Sequence, residues 1–154
     1  MTEIPELSKD ECQNIASKIF VGITAGTGAA IRQKFGPGAE DEFETMVAQG
    51  CAMNLESMGV NTPLNYALHY AAMSKHLFGS DVEVDGGVTS AILNTKMCAT
   101  LKIAMELGKM GMPVSREDYC RGCITGYHKK VAANIGLKLD ATFMENGCKI
   151  TIRK

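Results

Sequence analysis

The chain has no tryptophan, and aromatic residues make up only 6% of its 154 residues. Proteins that bind single-stranded nucleic acids stack the bases on aromatic side chains, so this scarcity argues against such a surface. Neither sign of charge dominates, because 16 basic and 17 acidic residues give a net charge of −1, and no basic patch stands out. The composition therefore predicts binding neither to nucleic acid nor to an anionic membrane.

Long apolar runs are also missing, since charged residues or glycines interrupt each run well before the roughly 18 residues that a membrane span needs. The N-terminal stretch MTEIPELSKDE is acidic and polar, which is not typical of a signal or transit peptide. Six cysteines without a secretion signal predict a cytoplasmic protein, whose thiols are more often buried, catalytic or metal-bound than joined in disulfides.

A chain of this length is expected to form a single domain over residues 1–154 with a hydrophobic core of its own. Hydrophobic residues make up 45% of it, and ten of them are methionines. Methionine side chains are flexible and suit an adaptable core or a cavity that encloses a small organic molecule. Small-molecule binding is therefore one predicted function.

Capping signals and helical periodicity predict a helical part over residues 8–80. Ser8 and Glu11 have the spacing of a capping box at the start of the first helix. The sequence TAGTG at residues 24–28 predicts a kink or a break in that helix, with a phosphate-binding loop as the alternative. A second helix is expected over about residues 39–58, and a third begins at Pro63 after an N-cap at Thr62.

The third helix carries His69, Met73 and His76 along one side. His69 and His76 are two turns apart, about 10 Å, which is too far for both to bind one metal ion directly. We take His69 and Met73 as candidate ligand-binding residues and His76 as a candidate catalytic base. The alternative is an ordinary, half-buried helix face.

The sequence of residues 81–154 predicts four elements in the order hairpin, helix, helix, hairpin. Alternating apolar residues flank the turn sequences at 85–87 and 146–147, which is typical of β-hairpins. Between the hairpins, one helix is expected over about residues 98–110 and another from an N-cap at Ser115 to Ile135. Helices packed on an antiparallel sheet make the predicted fold class α+β.

Four of the six cysteines, Cys98, Cys120, Cys123 and Cys148, fall in this second part. Cys120 and Cys123 are one turn apart near a helix start, where the pKa of a thiol is lowered and the thiolate is favoured. Three interpretations stay open. The four cysteines form a metal site for zinc, or alternatively for an iron–sulfur cluster; Cys120 or Cys123 performs nucleophilic or redox chemistry; or the thiols are buried as small hydrophobic groups.

The string from Cys123 to Tyr127, CITGY, is similar to the C-x-x-G-Y of the helix before the last hairpin in 4-vinyl reductase-like ligand-binding domains. The later Gly147-Cys148 resembles the start of the last strand in those domains. In sensor domains of that fold, a glutamate and a third cysteine complete a structural zinc site. This chain lacks that glutamate–cysteine pair and has GLKLDAT at the matching place, so we infer that Cys98 and Cys120 substitute.

The same resemblance implies a cavity for a small organic molecule, with Tyr127 as a ligand-binding residue. It also implies a homodimer, since domains of this fold commonly dimerise through helices. The leading hypothesis is therefore a cytoplasmic small-molecule-binding domain with a cysteine-ligated metal. A non-catalytic, dimeric partner-binding module is another alternative.

Over roughly its last hundred residues the chain is also similar to the L-2-amino-thiazoline-4-carboxylic acid hydrolase-like family, on an acidic segment at residues 83–85 and the spacing of the cysteines. This resemblance implies hydrolysis of a C–N bond in a small cyclic amidine or amide. Cys120 or Cys123 would be the nucleophile or hold a catalytic metal, and His128 or His76 would be the base.

Overall fold

The computed structural model describes residues 6–154 and confirms the predicted α+β class. The first five residues of the acidic N-terminal stretch lie outside the described residues. The helical N-terminal part consists of α1 (Lys9–Phe35), α2 (Pro37–Ser57) and α3 (Pro63–His76). The remainder consists, in chain order, of β1 (Asp81–Gly86), β2 (Ser90–Met97), α4 (Ala99–Lys109), α5 (Arg116–Arg121), a π-helix (Gly122–His128), α6 (Lys129–Asn134), β3 (Lys138–Met144) and β4 (Gly147–Arg153).

The two hairpins join into one antiparallel sheet with the strand order β1-β2-β4-β3. Ile150 of β4 pairs with Leu93 of β2 on one side and with Ala141 of β3 on the other. Ile150 and Leu93 are buried beneath α3, α2 and α6, whereas Asn94 and its partner Lys149 project from the opposite face. The domain is therefore a layer of helices on one face of a four-stranded sheet.

Local capping chemistry sets several of the helix ends. The Glu11 amide donates to Ser8 Oγ at 3.3 Å, and the Ser8 amide donates to the Glu11 carboxylate at 2.8 Å, so the predicted capping box is present. Thr62 caps α3 as expected. Gly36, with a φ of 87°, ends α1, and Pro37 opens α2 directly after it.

Helix α1 is continuous through residues 24–28, so the predicted break in the TAGTG sequence is wrong. The backbone there is helical and forms no phosphate-binding loop. The physical reason is tertiary packing, because Val21 is fully buried in a cluster with Ile103 and Ala104 of α4. This burial outweighs the weak helix propensity of Gly26 and Gly28.

The helical segment predicted over residues 115–135 starts at its predicted cap, but it is not a single α-helix. Residues 122–128 form a π-helix, in which the Lys129 amide donates to the Ile124 carbonyl five residues earlier. The widened turn lies against α2, where the side chain of Glu44 packs against Gly126. Nothing in the local sequence identifies Glu44 as the partner in this packing.

Methionines supply little of the interior. The larger core cluster lies between the sheet and α2, α3, α6 and the π-helix, and it is built from aliphatic residues, alanines and tyrosines. Met46, Met53 and Met110 are mainly exposed, and Met73 packs only at the edge of this core. Among the helices within residues 6–154, none has both the length and the apolar character needed to cross a membrane.

Candidate functional site

Cys98 lies at the junction between the sheet and α4. It is the N-cap of α4, and its Sγ accepts a hydrogen bond from the Leu101 amide at 3.4 Å. The same sulfur lies 3.3 Å from Thr100 Oγ1. The Cys98 amide donates to the Asn146 carbonyl at 2.8 Å, which ties the start of α4 to the β3–β4 turn.

Cys148 reaches this junction from the other side of that turn. It is the second residue of β4 and pairs with Thr95 of β2. The residue before it must be glycine, because a Cβ at Gly147 would overlap with the Thr95 carbonyl. The Gly147-Cys148 sequence therefore has a physical reason: the glycine lets β4 start tightly against β2 and brings Cys148 to the end of the sheet where Cys98 lies.

Cys120 on α5 and Cys123 in the π-helix bring two more thiols to the same region. The Cys123 thiol is influenced by those of Cys98, Cys120 and Cys148, and the Cys148 thiol by those of Cys98 and Cys120. Thiols from four chain segments thus lie near enough to affect one another's ionisation, and we call them the thiol cluster: Cys98, Cys120, Cys123 and Cys148. The metal-ligand and catalytic roles predicted for these cysteines stay predictions.

The ionisation of Cys120 and Cys123 runs opposite to the sequence expectation. Burial raises the pKa of Cys120, and it raises the pKa of Cys148 to about 11. The atoms packed around the Cys123 thiol also raise its pKa, although the residue as a whole is exposed. The neighbouring thiols add to each rise. The expected bias toward thiolate is therefore wrong, since burial and mutual repulsion outweigh the helix start.

Within residues 6–154, no three or more His, Cys, Asp or Glu side chains are already arranged as a group that could hold a metal ion. The donor chemistry of the thiol cluster nevertheless suits a soft cation, because zinc and iron–sulfur clusters take thiolate ligands from several segments. Metal binding at this place requires local adjustment of the side chains.

His128 and three tyrosines form a second polar group between α2, α3 and the π-helix. The Tyr66 hydroxyl lies 3.0 Å from His128 Nδ1 and donates to the His128 carbonyl at 3.1 Å. The hydroxyls of Tyr70 and Tyr127 lie 3.0 Å apart. Burial lowers the pKa of His128 to about 4, so the imidazole is neutral at pH 7. Its partner at Nδ1 is a tyrosine hydroxyl rather than a cysteine thiol.

This second group, the tyrosine cluster (Tyr66, Tyr70, Tyr127 and His128), has its hydrogen bonds satisfied. Burial raises the pKa of Tyr70 to about 12, and it raises the pKa of Tyr66 and Tyr127 further. Cys51 of α2 packs beside Tyr127. No buried side-chain nitrogen or oxygen in the described part of the chain lacks a partner. The cluster therefore has the character of a structural network.

The three candidates on α3 have different positions. The His69 ring lies edge-on to Tyr70 with 5.3 Å between the ring centroids, and Met73 packs at the edge of the core. His76 is exposed in the last turn of α3, where its carbonyl accepts a hydrogen bond from Gln13 at 3.1 Å. His69 and Met73 thus border the tyrosine cluster, while His76 does not share its buried environment.

Sequence reasoning missed Glu44, which lies in the contact between α2 and the π-helix. Burial raises the pKa of the Glu44 carboxyl, and Lys130 opposes that rise from 3.7 Å. The signal was the four-residue spacing of Gly122 and Gly126, which marks a close approach by another element. The spacing of Tyr66 and Tyr70 likewise indicated a shared helix face.

Two surface grooves follow α1, with volumes of about 410 and 550 Å³. The first follows the outer side of α1 from Gly22 to Phe35, and the second lies between α1 and the loop after α4. Neither is lined by His69, Met73 or Tyr127. The ligand-binding role of these three residues stays a prediction.

Comparison of the chain with protein-family models gave no match, and comparison with curated proteins gave none either. The resemblances to 4-vinyl reductase-like domains and to the aminothiazoline carboxylate hydrolase-like family therefore stay predictions, as do the site residues that they imply.

Proposed function

We propose that the protein is a small cytoplasmic binding domain whose thiol cluster binds a soft metal ion, zinc in the first instance. The observation that supports the proposal is that four of the six cysteines, at the N-cap of α4, in α5, in the π-helix and in β4, lie near enough to affect one another's ionisation. Cysteines that served only as small hydrophobic groups would not need to lie together, and none of these four is fully buried.

A metal ion at the cluster would have to compete with protons for the sulfurs. Burial and the neighbouring thiols raise the pKa of Cys120, Cys123 and Cys148, so these groups carry protons at neutral pH. A divalent cation would displace the protons and offset the repulsion between thiolates. Metal affinity is therefore expected to rise with pH.

Bound zinc would supply either a cross-link or a Lewis acid, depending on how many of the four sulfurs it takes. Cys98 and Cys148 would fix it to the end of the sheet, while Cys120 and Cys123 would join it to the helical segment. Binding of a small organic molecule remains part of this proposal and is supported by the resemblance to ligand-binding domains. An iron–sulfur cluster on the same sulfurs is the alternative cofactor.

The hydrolase alternative has less support. The pKa of both candidate nucleophiles, Cys120 and Cys123, is raised rather than lowered. The candidate base His128 is hydrogen-bonded to Tyr66, and His76 is exposed at the end of α3. A partner-binding module without chemistry is compatible with the proposed metal site, since zinc would then brace the fold.

The test is a Co²⁺ and Zn²⁺ titration of protein purified without a metal-binding tag and stripped with a chelator under reducing conditions. We expect one equivalent to bind, with the near-ultraviolet absorption of Co²⁺–thiolate bonds. Replacing Cys98, Cys120, Cys123 or Cys148 with serine should weaken binding by more than the roughly 10–100-fold lost when an outer-sphere partner is removed. Anaerobic purification followed by visible absorption spectroscopy detects an iron–sulfur cluster.

Cys12→Ser is the matched control, because Cys12 is an exposed cysteine on α1. It should leave the titration unchanged. The proposal is overturned if the wild-type protein binds no stoichiometric metal, or if the Cys12 variant loses as much affinity as the four cluster variants.

A further inference from the structure

We propose that Cys98 is a peroxide-reactive cysteine whose oxidation ends in a disulfide with Cys120. The Cys98 sulfur lies at the N-cap of α4, a helix of 11 residues, and accepts a hydrogen bond from the Leu101 amide at 3.4 Å. The Thr100 hydroxyl lies 3.3 Å from the same sulfur. Amide and hydroxyl groups in these positions stabilise negative charge on the sulfur, as attack on a peroxide requires.

The β3–β4 turn holds Cys98 and the helix of Cys120 side by side. The Cys98 amide donates to the Asn146 carbonyl at 2.8 Å. Arg116, one turn before Cys120 on α5, donates to the preceding carbonyl of the same turn, that of Glu145, at 3.2 Å. Two adjacent carbonyls of one turn thus anchor both of the segments that carry these cysteines.

Contacts between α4 and α5 also bring the two thiols together. The Thr100 hydroxyl beside the Cys98 sulfur lies close to the side chain of Tyr119, the residue before Cys120. Among the thiols, that of Cys98 has the largest influence on each of the other three in the thiol cluster. For Cys120 it outweighs even Cys123, the C-x-x-C neighbour. The Cys98 sulfur is therefore the central one of the cluster.

Cys120 is the expected partner because its segment is the easiest to move. The backbone of Cys148 is fixed in β4, which pairs with β2 on one side and with β3 on the other. Cys123 is followed by the buried Ile124 of the π-helix. Helix α5, in contrast, has six residues and none of them is fully buried. A small shift of α5 would therefore let its sulfur meet that of Cys98.

The reaction converts two thiols and one hydrogen peroxide into one disulfide and two waters. The Cys98 sulfur attacks one peroxide oxygen, the O–O bond breaks, and the released hydroxide takes the Cys98 proton and leaves as water. The product is a sulfenic acid. The Cys120 sulfur then attacks the Cys98 sulfur, the S–O bond breaks, and the oxygen leaves with the Cys120 proton as the second water. The two thiols lose two electrons, and the peroxide gains them.

The consequence for a bound metal rests on the proposed function. A disulfide between Cys98 and Cys120 would leave Cys123 and Cys148 as the free thiols of the cluster. Zinc sites use three or four protein ligands, so oxidation would release zinc and reduction would restore its binding. The thiol cluster would then couple its metal occupancy to the level of peroxide.

Peptide mapping of the reduced, metal-free protein tests the disulfide. After treatment with hydrogen peroxide and alkylation of the remaining thiols, mass spectrometry should find Cys98 joined to Cys120 in the wild type. Cys148→Ser, the matched control, should give the same disulfide. In Cys120→Ser, the sulfenic acid at Cys98 has lost its partner and should be trapped by dimedone.

Three results of the wild-type map would overturn the proposal: a disulfide between Cys120 and Cys123, a disulfide between Cys98 and Cys148, or thiols that stay reduced. The wild-type map needs no substitution, so it decides the question even where a variant fails to fold.

A zinc-release assay tests the consequence separately. Zinc-loaded protein treated with hydrogen peroxide should give up its zinc to a chromogenic chelator, and dithiothreitol should restore binding. The loss of affinity should exceed the roughly 10–100-fold that follows removal of an outer-sphere partner. Retention of zinc by the oxidised protein would contradict the release. A disulfide in a protein that never binds zinc would refute the proposed function alone, whereas zinc binding without a disulfide would refute this inference alone.

Discussion

Gly126 has no side chain because the Glu44 carboxylate of α2 occupies the space that a Cβ would need. Gly122, one turn earlier, has the same neighbour at a distance that permits a methyl group, with 3.8 Å from a built Cβ to Glu44 Oε1. The two glycines thus lie on one helix face but differ in the space that a side chain would have. A Cβ at the first would need the flexible end of the Glu44 side chain to shift, and a Cβ at the second would not.

We therefore expect Gly126→Ala to lower the free energy of unfolding by about 1 kcal/mol, the low end of the cost of overpacking, because the clashing atoms are the flexible end of Glu44. Gly122→Ala should cause no loss, because its methyl group makes an ordinary contact and alanine favours helix over glycine by about 0.5–1 kcal/mol. Urea denaturation of both variants measures the difference. Equal stabilities would mean that Glu44 moves aside freely.

At the scale of elements, the segment from α5 to α6 depends on the cap at its start. Ser115 Oγ accepts a hydrogen bond from the Asp118 amide at 3.0 Å and donates one to the Asp118 carboxylate at 2.7 Å. The Ser115 hydroxyl lowers the pKa of Asp118, and a negative charge in the first turn also favours the helix start.

Replacing Ser115 with alanine should lower the free energy of unfolding by about 1 kcal/mol, because the Asp118 amide loses its acceptor. Hydrogen exchange followed by mass spectrometry should show faster exchange of the amides of α5. Ser57→Ala is the control: the Ser57 hydroxyl donates to the Asn54 carbonyl near the end of α2 and caps no helix start. Unchanged exchange in α5 would show that packing, rather than the cap, holds the segment.

The elements that sequence alone predicted are those with local causes. The caps at Ser8, Thr62 and Ser115 act within three residues, and the turn glycines act within a hairpin, so their signals are contiguous in the chain. The continuity of α1 and the π-helix are set by contacts with α4 and α2, which lie far away in sequence.

In the candidate site, too, the features with local causes were predictable from the sequence, and those set by tertiary packing were not. The four cysteines of the thiol cluster were recognisable as candidate site residues, since each lies near a helix cap or a turn. Their pKa was not, because it depends on how much protein surrounds each sulfur after folding. The tyrosine cluster was missed because its partners lie 57–62 residues apart along the chain.

At the scale of the whole molecule, the buried His128 links global stability to pH. Its pKa is about 4 in the folded protein, below the 6.5 of an ordinary histidine, because burial disfavours the charged ring. Above pH 6.5 the ring is neutral in both states and has no effect. As the pH falls from 6.5 to 4, the unfolded chain binds a proton that the folded protein does not, so stability decreases.

The expected loss is up to about 3 kcal/mol across this range. Urea denaturation at several pH values should show a smaller acid loss for His128→Gln than for the wild type. His76→Gln, at an exposed histidine, should keep the wild-type profile. The raised pKa of Glu44 acts in the opposite direction, favouring the folded state as the pH falls, and it is common to all three proteins. Parallel profiles for the wild type and His128→Gln would contradict the assignment.

The π-helix should let the chain tolerate the deletion of one residue within residues 122–128. A turn closed by hydrogen bonds five residues apart contains one residue more than a turn of α-helix. Deleting a residue elsewhere in an α-helix rotates everything beyond it by about 100°. A deletion between residues 122 and 128 would instead let the segment close into an ordinary helix while α6 and the final hairpin kept their places. Cys123 and Tyr127 both lie within that stretch, so such a deletion would move a thiol of one cluster and a hydroxyl of the other.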